Sequence, residues 1–149
     1  PIPVATPGCT YTDRIVAVGD AAGQVKPTTG GGLYFGAMAA RAAADVVGRA
    51  LEQGDLSSGA LRAYERRWRY ELGSELRRGA FARGVYERLS PAQVDRILVR
   101  ARRTGLADTL LESRSFSFDR HGATLLAGLL RCLPAVFWGG GTPEPEVCR

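Results

Sequence analysis

The residues best suited to chemistry form one short stretch, in which an aspartate precedes a glycine-rich loop. Asp20 follows the apolar run Arg14–Val18, and a buried parallel strand there would carry its carboxylate to the sheet edge at which ligands bind. A carboxylate in that position can accept hydrogen bonds from the vicinal hydroxyls of a sugar or a sugar alcohol. The successive glycines Gly30–Gly32 would let the backbone approach a flat ring without a clash at Cβ.

A predicted helix follows these glycines and completes the candidate site. Residues 33–53 are rich in alanine and contain no proline, so they favour a helix. The free N–H groups and the positive dipole end at its start would face the ligand. They would stabilise negative charge, such as the charge of a reduced isoalloxazine near N1 and O2. The parts fit a flavin: Asp20 would bind the ribityl chain, and residues 30–33 would border the pyrimidine edge of the ring.

Other cofactor motifs fail on their spacing. A phosphate-binding loop needs a serine or threonine after its lysine, and Lys26 is followed by Pro27. The glycine pattern 30–36 stands about ten residues beyond the predicted strand, whereas a dinucleotide-binding turn is tight. The three cysteines are far apart and His121 is the only histidine, so the sequence predicts no metal site.

The elements that must position this stretch are one strand and a series of helices. The apolar, β-branched run Arg14–Val18 predicts a buried strand in a sheet covered on both faces. A single strand leaves its backbone unpaired, so we expect its partners in sequence outside this chain. Gly54 is placed to end the helix 33–53. Apolar spacing predicts a second helix over 58–78, with Trp68 and Leu72 in its core stripe. A third helix is predicted to begin with a Ser90–Gln93 capping box and to end at Gly105. Two more helices are predicted over 107–112 and 121–133.

Composition and charge exclude several classes of protein. The net charge is +5, but basic and acidic residues are interspersed, so a nucleic-acid-binding arm is not expected. No secretory signal is present, and we predict a cytoplasmic location with reduced thiols. The apolar stretch 122–138 is short for a span of ~20 residues and contains Arg131 and Pro134. It is either a helix packed on the body of the protein or a peripheral contact with a membrane surface.

Two segments resemble a known family. The string Gly19–Gly32 resembles the second flavin motif of the geranylgeranyl reductase family, which are FAD-dependent enzymes with the p-hydroxybenzoate-hydroxylase type of FAD domain. Residues 64–76 are similar to that family's downstream helix. The chain begins with proline and has methionine only at Met38. We therefore expect it to be the C-terminal part of a longer protein, whose N-terminal dinucleotide-binding fingerprint is not in this sequence.

The resemblance implies a fold and a domain organisation. The parent protein is expected to be α/β with a Rossmann-like FAD-binding domain. This chain is expected to be mostly α-helical, with one or two short strands, a Gly-rich loop and four to five helices. Residues 1–57 would be the C-terminal part of the FAD-binding domain, 58–138 a helical C-terminal region, and 139–149 a flexible tail.

The resemblance also implies a reaction and a set of site residues. Such enzymes reduce C=C bonds of geranylgeranyl chains in lipids or chlorophyll-type precursors by hydride transfer from the reduced flavin, and NADPH or ferredoxin supplies the electrons. No catalytic residue is identified. The residues implied to bind the cofactor are Gly19, Asp20, Pro27, Gly30, Gly31, Gly32 and Leu33.

Four nearby residues have two interpretations. Lys26 and Thr28 lie between the two halves of the motif and would border the flavin or the substrate, whereas the simpler interpretation of Lys26 is a solvated loop lysine. Tyr34 and Phe35 would line a prenyl tunnel or pack in the core.

Two alternatives to this function stay open. The first is another flavoprotein of the same fold, either an aromatic hydroxylase or monooxygenase or a quinone oxidoreductase, because these share the Gly-Asp motif. The second is a non-enzymatic helical remnant that binds a partner or a membrane. Because the adenine and pyrophosphate contacts would come from the absent fingerprint, we expect the isolated chain to bind FAD poorly and to be inactive.

Overall fold

The computed structural model describes residues 6–105, Asp108 and residues 122–132. The elements in these parts are the strands β1 (Tyr11–Thr12) and β2 (Ile15–Val16), a 3₁₀ turn (Gly19–Ala22), and the helices α1 (Leu33–Glu52), α2 (Ser58–Tyr86), α3 (Pro91–Arg103) and α4 (Gly122–Cys132). The predicted helix-rich chain with short strands is confirmed for these residues. The predicted tail 139–149 and, apart from Asp108, the predicted helix 107–112 lie outside them. The domain boundaries stay predictions.

The predicted strand Arg14–Val18 is wrong in extent, pairing and burial. Only Ile15–Val16 is a strand, and it pairs antiparallel with Tyr11–Thr12 inside this chain. A two-residue turn that contains Arg14 at φ 61° joins the strands, so the partner comes from the preceding residues. Ile15 is 61% exposed, because this two-stranded hairpin covers only one of its faces with the helices. Val16 and Val18 pack against the core as predicted for apolar residues of this run.

Helix α1 is the small-residue helix that the composition predicts. Its inward side contributes Phe35 and a row of alanines and a valine to the core: Ala39, Ala42, Ala43 and Val46. Gly54 ends it as predicted, with a left-handed φ of 69°. The Gly54 N–H donates to the Leu51 carbonyl, and the Asp55 N–H donates to the Ala50 carbonyl. Small side chains on both sides let α1 lie close to the 3₁₀ turn and to α2.

Helix α2 is the longest helix in the described part of the chain, and it is longer than predicted. Its buried stripe contains the predicted apolar residues Leu61, Tyr64, Trp68, Leu72 and Leu76. The sequence predicts an end near Arg78, but the helix continues to Tyr86. Gly79 lies inside the helix, where it is buried and packs against Pro27.

The last two described helices are α3 and α4, which pack against each other. Helix α3 begins with the predicted capping box: the Ser90 hydroxyl accepts from the Gln93 N–H, and the Gln93 side chain accepts from the Ser90 N–H. Helix α4, within the predicted segment 121–133, packs on α2 and α3. Among the described residues, no helix is both long and apolar enough to cross a membrane.

Candidate functional site

The Gly-Asp turn, which is the 3₁₀ turn Gly19–Ala22, presents Asp20 at the surface on a backbone held by hydrogen bonds. Gly19 and Gly23 have left-handed φ angles of 67° and 61°, which glycine adopts without strain. The Gly23 N–H donates to the Asp20 carbonyl and the Gln24 N–H donates to the Gly19 carbonyl, each at 3.0 Å. The Asp20 side chain is exposed and makes no hydrogen bond or ion pair with the described residues. Its two carboxylate oxygens are therefore accessible to a ligand.

The Asp20 carboxylate lies against the start of helix α1. A Cβ on Gly32, the residue that precedes α1, would stand 2.5 Å from Asp20 Oδ1 and 3.2 Å from Val25 Cγ1. No side chain caps α1 at Gly32, so the first N–H groups of the helix have no side-chain acceptor there. Further along, Gly36 passes the turn so closely that its Cβ would be 3.7 Å from Gly19 Cα. The Asp20 carboxylate, which accepts hydrogen bonds, and the first N–H groups of α1, which donate them, thus border the same space.

The loop between the turn and α1 is folded back on itself and supported by α2. The Lys26 N–H donates to the Gly31 carbonyl at 2.9 Å, and the Gly30 N–H donates to the Lys26 carbonyl at 2.8 Å. Pro27 packs against Gly79, where a Cβ would be 3.1 Å from Pro27 Cδ. The Arg83 Nη1 donates to the Pro27 carbonyl at 3.0 Å. The second half of α2 therefore holds the glycine-rich loop in place.

The structure brings the predicted cofactor-binding residues to one end of α1. Leu33 is 93% exposed at its start, and Gly31 is exposed beside it. Pro27 is buried and packs against Gly79 of α2, so it anchors the loop to that helix. The binding roles of these residues stay predictions.

Four residues near the loop are candidates for contact with the substrate. Lys26 is only 6% exposed, so its interpretation as a solvated loop lysine is wrong: the folded loop encloses it. Thr28 Oγ1 is buried and has no hydrogen-bond partner in the described part of the chain. Phe35 is 1% exposed and belongs to the core, and Tyr34 stands edge-to-face against it at 5.5 Å between ring centres. Contact of any of these with a substrate stays a prediction.

A buried polar chain that the sequence analysis missed links the turn to α2. The Gly19 N–H donates to Gln24 Oε1 at 2.7 Å, and Gln24 Nε2 donates to the Tyr64 hydroxyl at 2.9 Å. The Tyr64 hydroxyl donates in turn to the Ala17 carbonyl at 2.7 Å. Burial raises the pKa of the Tyr64 phenol above its ordinary value, against the opposite effect of the Gln24 hydrogen bond, so the phenol stays a donor at neutral pH.

No signal in the pattern marks Tyr64 as more than a core residue, since it stands on the apolar stripe of α2. Gln24 carries a weak signal, because a large polar residue inside a conformationally restricted, glycine-flanked turn needs hydrogen-bond partners if it is buried. Gly79 carries another, because a glycine within a helix is unfavourable unless close packing requires it.

The remaining surface offers no metal cluster in the described parts. No three His, Cys, Asp or Glu side chains there stand close enough to hold a metal ion. A cavity of about 260 Å³ borders Gly23 and is lined by Trp68 and Leu76, with Arg69 and Arg77 at its edge. Arg69 is already engaged by Glu65 at 2.6 Å and lies over the Trp68 ring.

The chain is similar to several archaeal proteins. An uncharacterised protein of Methanocaldococcus jannaschii is 36% identical over 132 residues, which are 89% of this chain and 33% of that protein. Digeranylgeranylglycerophospholipid reductase 2 of Methanothermobacter thermautotrophicus is 40% identical over 89 residues, which are 60% of this chain and 23% of the reductase. Digeranylgeranylglycerophospholipid reductase 1 of Methanopyrus kandleri is 46% identical over 63 residues, 42% of this chain and 17% of that enzyme.

These matches define a relationship to part of each relative. The chain spans a third or less of the length of these relatives. No family model matches the sequence, and no solved structure matches it. The similarity therefore relates this chain to a segment of each of these proteins, two of which are named digeranylgeranylglycerophospholipid reductase. What the whole protein does is treated as a proposal.

Proposed function

We propose that this chain is part of an FAD-dependent reductase of the geranylgeranyl reductase family, which saturates C=C bonds in the prenyl chains of a lipid. The similarity to proteins named digeranylgeranylglycerophospholipid reductase supports the class of enzyme. The observation that carries the proposal is the placement of the Asp20 carboxylate against the open N-terminus of α1, with Gly32 leaving the space between them free of a side chain.

The chemistry of the site fits a flavin. The ribityl chain of FAD offers hydroxyl donors, and Asp20 offers an exposed carboxylate without a protein partner in the described residues. The pyrimidine edge of the ring carries carbonyl oxygens and gathers negative charge on reduction, and the start of α1 offers N–H donors and a positive dipole end. When bound, the reduced flavin would supply hydride to the alkene.

The residues of this chain would then bind and orient the flavin and would not react themselves. Asp20 would accept hydrogen bonds from ribityl hydroxyls, and the backbone from Gly30 to Leu33 would lie along the edge of the ring. The Pro27 loop, held by Gly79 and Arg83, would fix that backbone and so fix the ring relative to the substrate. Lys26 and Thr28, on the same loop, are the residues that we propose to lie nearest the boundary between flavin and substrate.

The electron donor in this proposal is NADPH or ferredoxin, and the substrate is a prenyl lipid or a prenylated small molecule. Such a substrate favours a protein that works in the cytoplasm at the surface of a membrane. The packing of α4 on α2 and α3 is compatible with this and does not require it.

The experiment is a product assay on the protein expressed from its complete reading frame. The protein is loaded with FAD, reduced with dithionite, and incubated with a digeranylgeranyl glycerophospholipid in detergent. We expect a gain of two hydrogens per double bond by mass spectrometry when this reaction is run under nitrogen. In a separate assay in air, with NADPH in place of dithionite, hydroxylation of an aromatic substrate would favour a monooxygenase instead. An unchanged lipid from flavin-loaded protein would overturn the proposed substrate class.

A further inference from the structure

Gln24 is the one large polar side chain that is fully buried beside the Gly-Asp turn. We infer that Gln24 is a positioning residue for the cofactor: its amide holds the Gly19 peptide, and through it the Asp20 carboxylate, in the geometry that binds the ribityl chain. This inference rests on the proposed function. Nothing in the similarity to known proteins assigns the role.

The direction of every hydrogen bond in this chain of groups is fixed by chemistry. The Gly19 amide can only donate, so the Gln24 atom that faces it at 2.7 Å must be the oxygen. The Gln24 nitrogen must therefore face Tyr64, whose hydroxyl then accepts from it and donates its own proton to the Ala17 carbonyl. The hydrogen bonds thus run without a break from the Gly19 N–H to the Ala17 carbonyl, and they require a side chain at position 24 that accepts at one end and donates at the other, as a neutral amide does.

Gln24 binds both peptide groups that flank the Gly19 Cα. Its side-chain oxygen accepts from the Gly19 N–H, while its backbone N–H donates to the Gly19 carbonyl at 3.0 Å. Gly19 has a left-handed φ, so without these bonds its flexible backbone would have several conformations to choose from. Asp20 is the next residue, and its carboxylate moves with that peptide. The positioning of Asp20 thus depends on Gln24 and, through Tyr64, on α2.

A purely structural role is the competing explanation, and the chain offers a matched control. Trp68 lies one turn beyond Tyr64 on α2, is equally buried, and donates from Nε1 to Thr10 Oγ1 at 3.0 Å. That hydrogen bond also ties α2 to the hairpin, but it does not reach the Gly-Asp turn. Trp68→Phe therefore removes a comparable buried hydrogen bond without touching Gly19.

The test uses the protein from its complete reading frame and three variants: Gln24→Met, Gln24→Glu and Trp68→Phe. FAD affinity is measured by flavin fluorescence across about pH 5 to 8, a range that a buried carboxyl can titrate in. Amide hydrogen exchange of the peptide spanning Gly19 is measured on the same samples without FAD. The ionisable or charged groups near the site are Tyr64 and Arg83 on α2 and Asp20 and Lys26 on the loop. Since the variants keep all four, the wild-type profile is the reference.

The expected result is a pattern that a stability loss alone does not produce. Gln24→Met weakens FAD binding about 10- to 100-fold at every pH and speeds exchange at Gly19, because a buried donor has lost its acceptor. Gln24→Glu binds nearly as well as wild type at low pH, where the neutral carboxyl copies the amide by accepting from Gly19 and donating to Tyr64. Its affinity then falls as pH rises and that carboxyl ionises. Trp68→Phe lowers stability and leaves both FAD affinity and Gly19 exchange unchanged.

Two results would overturn the positioning role. The first is that the Gln24→Met variant folds and binds FAD with an affinity within twofold of wild type. The second is that the Trp68→Phe variant loses as much affinity for FAD as the Gln24→Met variant does. If Gln24→Met does not fold, a pH-independent affinity in Gln24→Glu overturns the role in its place. If the wild-type protein binds no FAD at all, the proposed function fails separately, and the exchange at Gly19 still decides whether Gln24 holds the turn.

Discussion

Gly32 and Asp20 are in such close apposition that a Cβ on Gly32 would stand 2.5 Å from the Asp20 carboxylate oxygen. The two residues are distant in the loop but meet because the loop folds back through the Lys26–Gly31 hydrogen bond. Their contact places a carboxylate beside the open end of a helix, and this arrangement is the basis of the proposed flavin site.

Gly32→Ala should separate binding from stability. Its φ of −105° suits alanine, and the atom that the new Cβ would meet first ends a flexible, exposed side chain, so the fold should survive. The Asp20 carboxylate must turn away, and we expect FAD affinity to fall about 10-fold or more, the loss of a charge-assisted hydrogen bond. The control is Gly48→Ala, inside helix α1 with open space around it, which should raise stability by about 0.5–1 kcal/mol and leave affinity unchanged. Equal affinities in the two variants would contradict the assignment.

Asp20→Asn tests the charge of the same group. Because Asp20 is exposed and has no partner in the described residues, the free energy of unfolding should change little. Affinity for FAD, measured by isothermal titration calorimetry, should fall about 10- to 100-fold, since hydrogen bonds to a charged acceptor contribute about 1.5–3 kcal/mol. A variant that binds FAD as tightly as wild type would show that Asp20 does not hold the ribityl chain.

Gly79→Ala probes the support of the loop by α2. A Cβ there would be 3.1 Å from Cδ of Pro27, a rigid ring that yields only if the loop moves. We expect the gain in helix propensity, about 1 kcal/mol, to be cancelled and the affinity for FAD to weaken. Gly84→Ala, in the same helix with nothing within reach of its Cβ, should show that gain in full. Urea unfolding of both variants measures the difference, and equal stabilisation would mean that the Pro27 contact is not tight.

The start of α2 should make stability depend on pH in the acid range. The Ser58 N–H donates to Asp13 Oδ1 at 2.6 Å and lowers the pKa of the Asp13 carboxyl below its ordinary value. The pKa of Asp55 is lowered in the same way by its hydrogen bond from the Ser57 N–H. A carboxyl whose folded pKa lies below its unfolded value of about 3.9 contributes stability that is present above that value and is lost as pH falls through the folded pKa.

Asp13→Asn should therefore flatten the acid loss of stability, because the amide keeps an acceptor and does not titrate. Urea unfolding between about pH 5 and pH 2 measures it. The double variant with Asp55→Asn should be flatter still. If the free energy of unfolding falls with pH at the same slope in wild type and in the double variant, these hydrogen bonds at the start of α2 do not set the acid response.

The helices were predictable where spacing and capping act locally. The stripe of α2, the capping box of Ser90 and the stop at Gly54 depend on residues within a turn or two of each other, and the structure contains all three. The predicted end near Arg78 is wrong because the helix continues through Gly79, a residue whose presence there has a tertiary reason. That reason is Pro27, which lies far away in sequence and cannot be seen from the helix pattern.

The strand and the supports of the site depended on distant contacts. The run Arg14–Val18 has the composition of a buried strand, but a two-residue turn pairs its start with Tyr11–Thr12 and exposes Ile15. The polar chain through Gln24 joins residues that are far apart in sequence, so no local pattern announces it. The Gly-Asp stretch was predicted as a flavin site from the whole string of residue types and from the family resemblance, and its binding role stays a prediction.

The most direct test of the central claim is a crystal structure of the protein, expressed from its complete reading frame, with FAD bound. We expect an Asp20 carboxylate oxygen to lie within hydrogen-bond distance of a ribityl hydroxyl, and the pyrimidine edge of the ring to face the backbone from Gly30 to Leu33. A flavin bound elsewhere, with Asp20 in solvent and the start of α1 away from the ring, would contradict it.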